Sequence, residues 1–366
     1  MPTGTPRTMH VITALHGGGA ERLLTNVVLQ DDAPASTLVV SLLPGGVFRA
    51  ALEDAGFTVI DLNMRSPLHA VRGVFRLAAL MREQRPEIVQ GWMYHANLLS
   101  LLALRLARLR GVSLIWGVFC TGSPAADLSL RLRLVRRANA ILSRFVDALV
   151  YNAEEARQFH QALGFHEKKS RIISNSIDAD VFRHDARKRR ALRRELGIAD
   201  DTVVVAVVAR VDPMKDWPTL RDAVRDLPGV VTVAVGKGTD ELPHQQGFLG
   251  LGWRYDVPAI LSAADIFLLG SAFGEGLSLA LGEAMLCGLP CVVTRVGGNG
   301  TLAGDAGIVI EPRDAQAMRD AILQLANDRE LRERLGNRAR QRALERATRR
   351  ADVEELPAAA SGEGRA

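Results

Sequence analysis

Phe273-Gly-Glu275-Gly-Leu-Ser278-Leu-Ala-Leu-Gly-Glu283-Ala-Met-Leu-Cys287-Gly288-Leu-Pro290 is the stretch on which the fold turns. Just upstream, Ala264-Asp-Ile-Phe-Leu-Leu-Gly270 is a short apolar run closed by a turn residue, the pattern of a buried strand. Ser278 to Cys287 predicts a helix, stopped by Gly288 and Pro290. Cys291-Val-Val-Thr-Arg295 then begins a new strand. In parallel sheets, ligands sit where strands end and helices begin, so Glu275 is expected in that mouth. Glu283 lies eight residues on, a little over two helical turns away. That spacing suits two carboxylates holding different hydroxyls of one long polyhydroxyl ligand. It suits a metal pair poorly, because no His or Asp joins them locally. The plain alternative is a helix N-terminal carboxylate at Glu275 and a solvated helix face at Glu283.

Outward from this segment, strands and helices alternate along the whole chain, which predicts an α/β fold with mostly parallel sheets. Strands are expected at Thr8–Ala14, Ser36–Leu43, Thr58–Leu62, Glu87–Gln90, Ser113–Val118, Ala148–Tyr151 and Ser170–Ser174. Helices are expected at Ala20–Leu29, Ala96–Leu109, Leu128–Arg144 and Ala153–Gly164. A dense charge run, Arg183 to Arg194, reads as a solvated helix. It leads to Thr202-Val-Val-Val-Ala-Val-Val208, an all-apolar strand of the kind that opens a second α/β unit. The expected domains are residues 1–180 and 181–350, with the chain crossing over near 178–185, and residues 351–366 read as a disordered tail.

At 366 residues the chain is long for one core and comfortable for two. Cys120, Cys287 and Cys291 are an odd number without metal-like spacing, and reduced thiols in a cytoplasmic setting are expected. No signal-peptide core or membrane-length apolar run is present in the sequence. Residues 1–175 carry 20 Lys/Arg against 13 Asp/Glu, or +7, whereas the whole chain is +5. A basic first half suggests an anionic partner, and the scarcity of aromatics makes nucleic acid the poorest choice. The segment Leu128–Arg144 combines leucines with five arginines, and Arg105, Arg108 and Arg110 lie nearby. Either such helices lie on an anionic membrane surface, or they bury their leucines in the core and leave the arginines in water.

Three further turns carry candidate chemistry. His16-Gly17-Gly18-Gly19-Ala20-Glu21-Arg22 follows the first strand, where Gly18 and Gly19 would let backbone N–H groups approach an anion. It is not the dinucleotide fingerprint, and no acidic residue closes the second strand. Arg210 and Lys215 stand five apart straight after the buried strand, placed to bind phosphate oxygens. Asp212 and Asp216 beside them read as salt partners rather than a general-base pair. Lys237, in Val235-Gly-Lys-Gly238, either helps hold the same phosphates or is simply exposed. Only Thr239 to Gly247 separate this turn from the Phe248 strand, nine residues where a parallel crossover normally needs a dozen or more. Either that crossover is a bare loop or one strand is displaced.

The segment from Ser271 to Val296-Gly-Gly298, with Glu275, Glu283-Ala-Met285, Gly288 and Pro290, resembles the Glu-x7-Glu motif of family-4 retaining glycosyltransferases. Gly18-Gly-Ala-Glu-Arg22, Arg210-x4-Lys215-Asp216 and Asn175-Ser-Ile-Asp178 resemble further motifs of that family. The resemblance implies the GT-B fold, two Rossmann-like domains facing an inter-domain cleft. It implies a nucleotide-sugar donor held by Gly18, Gly19, Arg210, Lys215, Lys237, Gly276, Leu277, Ser278 and Glu283. In that reading Glu283 takes the ribose hydroxyls, Glu275 lies near the donor sugar, and Arg210 with Lys215 clamps the diphosphate. It also implies retention of configuration, a glycan or lipid-linked acceptor, no cofactor and no metal. Val89-Gln-Gly-Trp-Met-Tyr-His95-Ala-Asn97 resembles a variant used in surface-polysaccharide synthesis, with His95 either facing the cleft or simply starting a helix. Many relatives carry a His where Cys120 stands, or one residue away. A hexosyl- or N-acetylhexosaminyl-transferase, peripheral on the inner membrane face, is the expected enzyme. A nucleotide-sugar epimerase and a non-catalytic nucleotide-sugar binder are the alternatives.

Overall fold

The computed structural model describes residues 7–122, 129–173, 175 and 177–347. The expected tail and residue Leu128 lie outside the described residues. The chain divides into two compact units between residues 176 and 177. The second unit therefore takes in residues 177–180, which the sequence pattern assigns to the first domain. Ile177 and Ala179 pack against the same core that buries Phe182, which ties this stretch to the second sheet.

The first unit runs β1 (Thr8–Ile12), α1 (Gly19–Val28), β2 (Thr37–Ser41), α2 (Val47–Asp54), β3 (Thr58–Asp61), α3 (Pro67–Gln84), β4 (Ile88–Trp92), α4 (Met93–Ala107), β5 (Ser113–Gly117), α5 (Leu130–Leu142), β6 (Ala148–Tyr151), α6 (Glu154–Ala162) and β7 (Ser170–Ile172). All neighbouring strands pair parallel, in the order β3-β2-β1-β4-β5-β6-β7. Helices α2 and α3 are absent from the sequence-based expectation. The start of α3 is nonetheless well marked, with Ser66 accepting from the His69 amide and Pro67 in the first turn.

The second unit runs α7 (Ala186–Glu195), β8 (Val203–Val208), α8 (Trp217–Ala223), β9 (Val230–Val235), β10 (Phe248–Gly250), α9 (Val257–Ala263), β11 (Ile266–Leu269), α10 (Leu279–Leu286), β12 (Cys291–Thr294), α11 (Asn299–Ala303), β13 (Gly307–Ile310), α12 (Ala315–Asn327) and α13 (Arg329–Ala347). Its six parallel strands follow β10-β9-β8-β11-β12-β13. Relabelled within the unit this is the 3-2-1-4-5-6 order of a Rossmann sheet, with the switch point between β8 and β11. Strand β8 is apolar throughout because it feeds two cores: Val204 and Ala206 enter one, Val205 and Val207 the other.

The short crossover resolves in favour of the bare loop. β10 pairs parallel with β9 in its ordinary place, reached through a single 3-10 turn at Thr239–Glu241. The loop substitutes side-chain bonds for a helix. The Thr239 hydroxyl accepts from the Gly252 amide, and Arg221 donates to the Pro243 carbonyl.

The charge run is a helix, as expected, but not a solvated one throughout. Arg193 is 2 % exposed. Its guanidinium donates to the carbonyls of Ala263, Ala199, Asp200 and Thr202 and to Asp265 Oδ2 at 2.6 Å. Arg189 takes the other oxygen of Asp265 at 2.8 Å. Arg193→Leu is expected to destabilise the second unit by about 3–5 kcal/mol, because it takes a buried donor from the Ala263, Ala199, Asp200 and Thr202 carbonyls and leaves Asp265 with Arg189 as its one cation among the described residues. The same change at exposed Arg190 should stay within about 0.5 kcal/mol. Urea unfolding of the two variants checks this.

Candidate active site

The second-unit candidates gather at the switch point. Arg210 and Lys215 follow the C-terminal end of β8, and Glu275 follows β11, its neighbour across that point. The Lys215 ammonium is bound to Glu275 Oε1, with side-chain exposures of 12 % and 9 %. The Ser271 hydroxyl donates to the same oxygen at 2.6 Å. The two loops are also joined by backbone, since the Ala272 amide donates to the Met214 carbonyl. Thr294, at the end of β12, anchors Ser271 in turn by donating to its carbonyl at 2.6 Å. Thr294 and the Lys215–Glu275 pairing are not among the sequence-based expectations, since the paired residues stand 60 apart in the chain.

Arg210 bonds Asp212 through Nε and Nη2, both at 3.1 Å. Asp212 therefore is the salt partner expected, and it also caps the following turn by accepting from the Met214 amide. Asp216 departs from that expectation: among the described residues it has no ion pair. It occupies a left-handed conformation, φ 50°, at the entry to α8, a position Asp tolerates better than most residues.

Backbone contacts bring the β9 turn against the same site. Gly236 has φ 144°, and a Cβ there would strike the Ala209 carbonyl. The Lys237 carbonyl accepts from the Val211 amide at 2.8 Å, while its side chain is exposed. Arg210, Lys215 and Lys237 thus come from adjoining strand ends. On the far side, Gly297 lies so close to the Glu275 and Gly276 carbonyls that no side chain fits. The Gly276 carbonyl accepts from the Gly298 amide, and the Asn299 side chain accepts from the Ser278 amide. Gly276, Leu277 and Ser278 form the turn into α10.

Glu283 is fully buried within α10, at 0 % exposure. This removes the solvated-face alternative. Its charge is felt by Cys287 one turn on, whose thiol is pushed up to about 12, first by burial and then by Glu283. Cys287 and Cys291 are free buried thiols, as expected. Among the described residues no group of three His, Cys, Asp or Glu is placed to hold a metal ion.

Gly18, Gly19 and His95 belong to the first unit, on either side of the switch point between β1 and β4. Gly18 is the N-cap of α1, and a Cβ there would strike the Glu21 carboxylate, so the chain's own anion lies over this helix start. Gly19 has open space in place of a side chain. His95 sits half-buried in the first turn of α4, and burial, then the charge of Arg131, hold its imidazole below the usual range.

Half-buried Cys120 meets a chain of polar groups that sequence did not reveal. Its thiol donates to Tyr94 Oη at 3.7 Å, and Tyr94 lies 2.6 Å from His160 Nε2. His160 Nδ1 is 2.7 Å from the Ala156 carbonyl, which only accepts. Nδ1 therefore carries the proton, and Nε2 accepts from the Tyr94 hydroxyl. The aromatic and histidine pattern is visible in sequence, but the three residues come from different strand–helix units.

The sequence pattern described as Glycosyltransferase Family 4 matches residues 17–181, and that described as Glycosyl transferases group 1 matches residues 188–342. The chain belongs to the group 1, family 4 glycosyltransferases. It is 26 % identical over 348 residues to the lipopolysaccharide core biosynthesis glycosyltransferase LpsE of Rhizobium meliloti, covering 91 % of this chain and 93 % of that one. Over 181 residues it is 30 % identical to the UDP-Gal:alpha-D-GlcNAc-diphosphoundecaprenol alpha-1,3-galactosyltransferase of Escherichia coli, covering 44 % of this chain and 46 % of the relative. The chain thus spans about half the length of that curated relative. Anabaena HepE, solved with UDP and glucose, superposes with a TM-score of 0.83 at 21 % identity, covering 96 % of this chain and 100 % of HepE. That likeness, with the two Rossmann-like sheets, gives this family-4 chain the GT-B fold.

Proposed function

We propose that the protein transfers a hexosyl or N-acetylhexosaminyl group from a nucleoside diphosphate sugar to a glycan or lipid-linked acceptor, with retention of configuration. The observation that carries this reading is the buried Lys215–Glu275 pair at the Rossmann switch point, beside Arg210 and eight residues ahead of Glu283, which is fully buried one turn into α10. A cation at a strand's C-terminal edge is where a departing diphosphate is stabilised, and the charge it meets grows as the bond breaks. The sugar C1–O bond to the phosphate breaks and a C1–O bond to the acceptor forms. The acceptor's proton passes to the leaving phosphate oxygen on the same face. Arg210, Lys215 and Lys237 take the diphosphate, and Glu283 the ribose hydroxyls. Glu275 orients the sugar while fixing Lys215, and Ser271 fixes Glu275. In the first unit, Gly18, Gly19 and His95 are assigned to substrate at that unit's own switch point.

Relatives named or solved with uridine nucleotides support UDP as the first nucleotide to test. The cations already present make a metal unnecessary. UDP is expected to bind with the same affinity before and after EDTA in titration calorimetry, and Glu283→Gln to weaken it. A labelled UDP-hexose should give an axial or equatorial product matching the donor. An inverted product, or affinity restored only by magnesium or manganese, would overturn the retaining, metal-independent reading. With a lipid-linked acceptor, the basic first unit would hold the enzyme peripherally on the cytoplasmic membrane face. No described helix is long and apolar enough to cross a membrane.

A further inference from the structure

Helix α5 is inverted relative to an ordinary amphipathic helix. It buries Arg136, Asn139 and Ala140, while Leu130, Leu134 and Ile141 stand 71 %, 60 % and 51 % exposed. Its neighbours, α3 packed on α4 and α4 on α5, keep an apolar inner face but also turn apolar side chains outward. Val71 and Phe75 on α3 are 57 % and 61 % exposed, Leu102 and Leu106 on α4 are 42 % and 40 %, and Phe145 after α5 is 52 %. Three apolar pairs at one-turn spacing, Val71/Phe75, Leu102/Leu106 and Ile141/Phe145, therefore lie outward on adjacent elements. Eight of the fourteen large apolar side chains exposed among the described residues belong to these three helices and the turn after α5.

Between α3 and α4 lies an open groove of about 710 Å³, lined by Val74, Arg82, Leu102, Arg105, Leu106 and Arg108. Arg82 donates to the Leu106 and Ala107 carbonyls, which covers the negative end of α4. Arg105 lies 5.7 Å from the centre of the Phe145 ring, joining the groove to the end of α5. Arg108 is exposed at the C-cap. Between Glu87 and Asp147 the chain has eight arginines and a single acid, Asp127, and α3 itself adds only Glu83.

We propose that this groove seats the phosphates of anionic phospholipid headgroups, with Phe75, Leu102, Leu106 and Phe145 entering the acyl boundary beside it. The proposal rests on the peripheral membrane association put forward under Proposed function and assigns it a surface. Cation stems flanked by outward apolar side chains, with almost no acid nearby, match the interface of a negatively charged leaflet.

Co-sedimentation with phosphatidylglycerol and with phosphatidylcholine vesicles, at low and high salt, tests it. The wild type is expected to pellet with the anionic vesicles at low salt. Arg105→Ser with Arg108→Ser should weaken that binding roughly 30-fold, at about a factor of five for each cation near the surface. Phe75→Ser with Leu106→Ser should abolish whatever binding survives high salt. UDP affinity, read on the second unit, and the melting temperature should be unchanged in both. A wild type that ignores anionic vesicles sinks the membrane reading itself. A wild type that binds, with both groove variants binding equally well, leaves that reading standing and overturns the groove. Self-association of the wild type that is lost in the groove variants would also overturn it, in favour of a second copy of this chain.

Discussion

Lys215→Ala is expected to lower turnover by about 10²–10³-fold, the usual cost of removing one group that meets charge developing in the transition state. It should also destabilise the second unit by about 3–5 kcal/mol, because it strands Glu275 in a buried position. Loss of activity in that variant alone would thus be ambiguous. Adding Glu275→Gln removes the stranded charge. The double variant is expected to regain most of the lost stability while its turnover stays at or below that of Lys215→Ala. Steady-state kinetics and urea unfolding on the single and double variants separate the two effects. Recovery of activity together with stability would reduce the pair to a structural ion pair and withdraw Lys215 from the diphosphate.

Acid is expected to unfold the first unit before the second. His10, in β1, is 5 % exposed, and burial lowers its pKa from 6.5 to about 4, against smaller opposing effects of Asp31 and the Gln90 side chain. Trp92 Nε1 donates to its Nδ1 at 3.2 Å, which fits a neutral ring. His160 is 0 % exposed and is likewise lowered to about 4, by burial first; the Ala156 carbonyl opposes this and Arg136 adds to it. Protonation would also break its acceptance from Tyr94. A histidine whose folded pKa lies below its unfolded value leaves stability intact above 6.5. Between 6.5 and 4 the unfolded chain binds the proton and the folded chain does not, so stability falls with pH through that window and levels off below it. Each ring contributes roughly 3 kcal/mol to that loss. Urea midpoints of the first unit at pH 7.5 and pH 4.5 should differ accordingly. His160→Gln should flatten the difference by about half, and an unchanged pH slope in that variant would remove His160 as its source.

How much of the molecule is legible in its sequence depends on the range of each interaction. The valine run of β8 announces a strand with both faces buried, and Glu275, Glu283 and Gly288 mark a strand–helix–strand seam by local chemistry alone. Arg210 and Lys215 are legible for the same reason, since their spacing after a strand is a property of the neighbouring residues. The pairing of Lys215 with Glu275 is not, because it depends on β8 and β11 being neighbours, an order that no local pattern states. Helix α3 escapes the sequence pattern although it has an N-cap Ser and a Pro in the first turn. Its apolar residues are split between a buried face and the exposed Val71 and Phe75, which blurs the period.

Charge and hydropathy mislead where tertiary context reverses them. Arg193 in a run of cations reads as solvated, yet it is the most hydrogen-bonded guanidinium of its helix, because the carbonyls around Ala263 and Thr202 and the Asp265 carboxylate converge there. The leucines of α5 read equally well as core, yet Leu130 and Leu134 lie outward, because Arg136 and Asn139 occupy the inner face. From the amino-acid order alone came the alternating α/β architecture, two cores and the residue types of the site, all set by periodicity and turn chemistry within a few residues. Strand order, the burial of Glu283, the Lys215–Glu275 and Cys120–Tyr94–His160 contacts and the outward apolar face were decided by tertiary structure, because each requires segments distant in the chain to be brought together before their charges, hydrogen bonds and exposed areas exist.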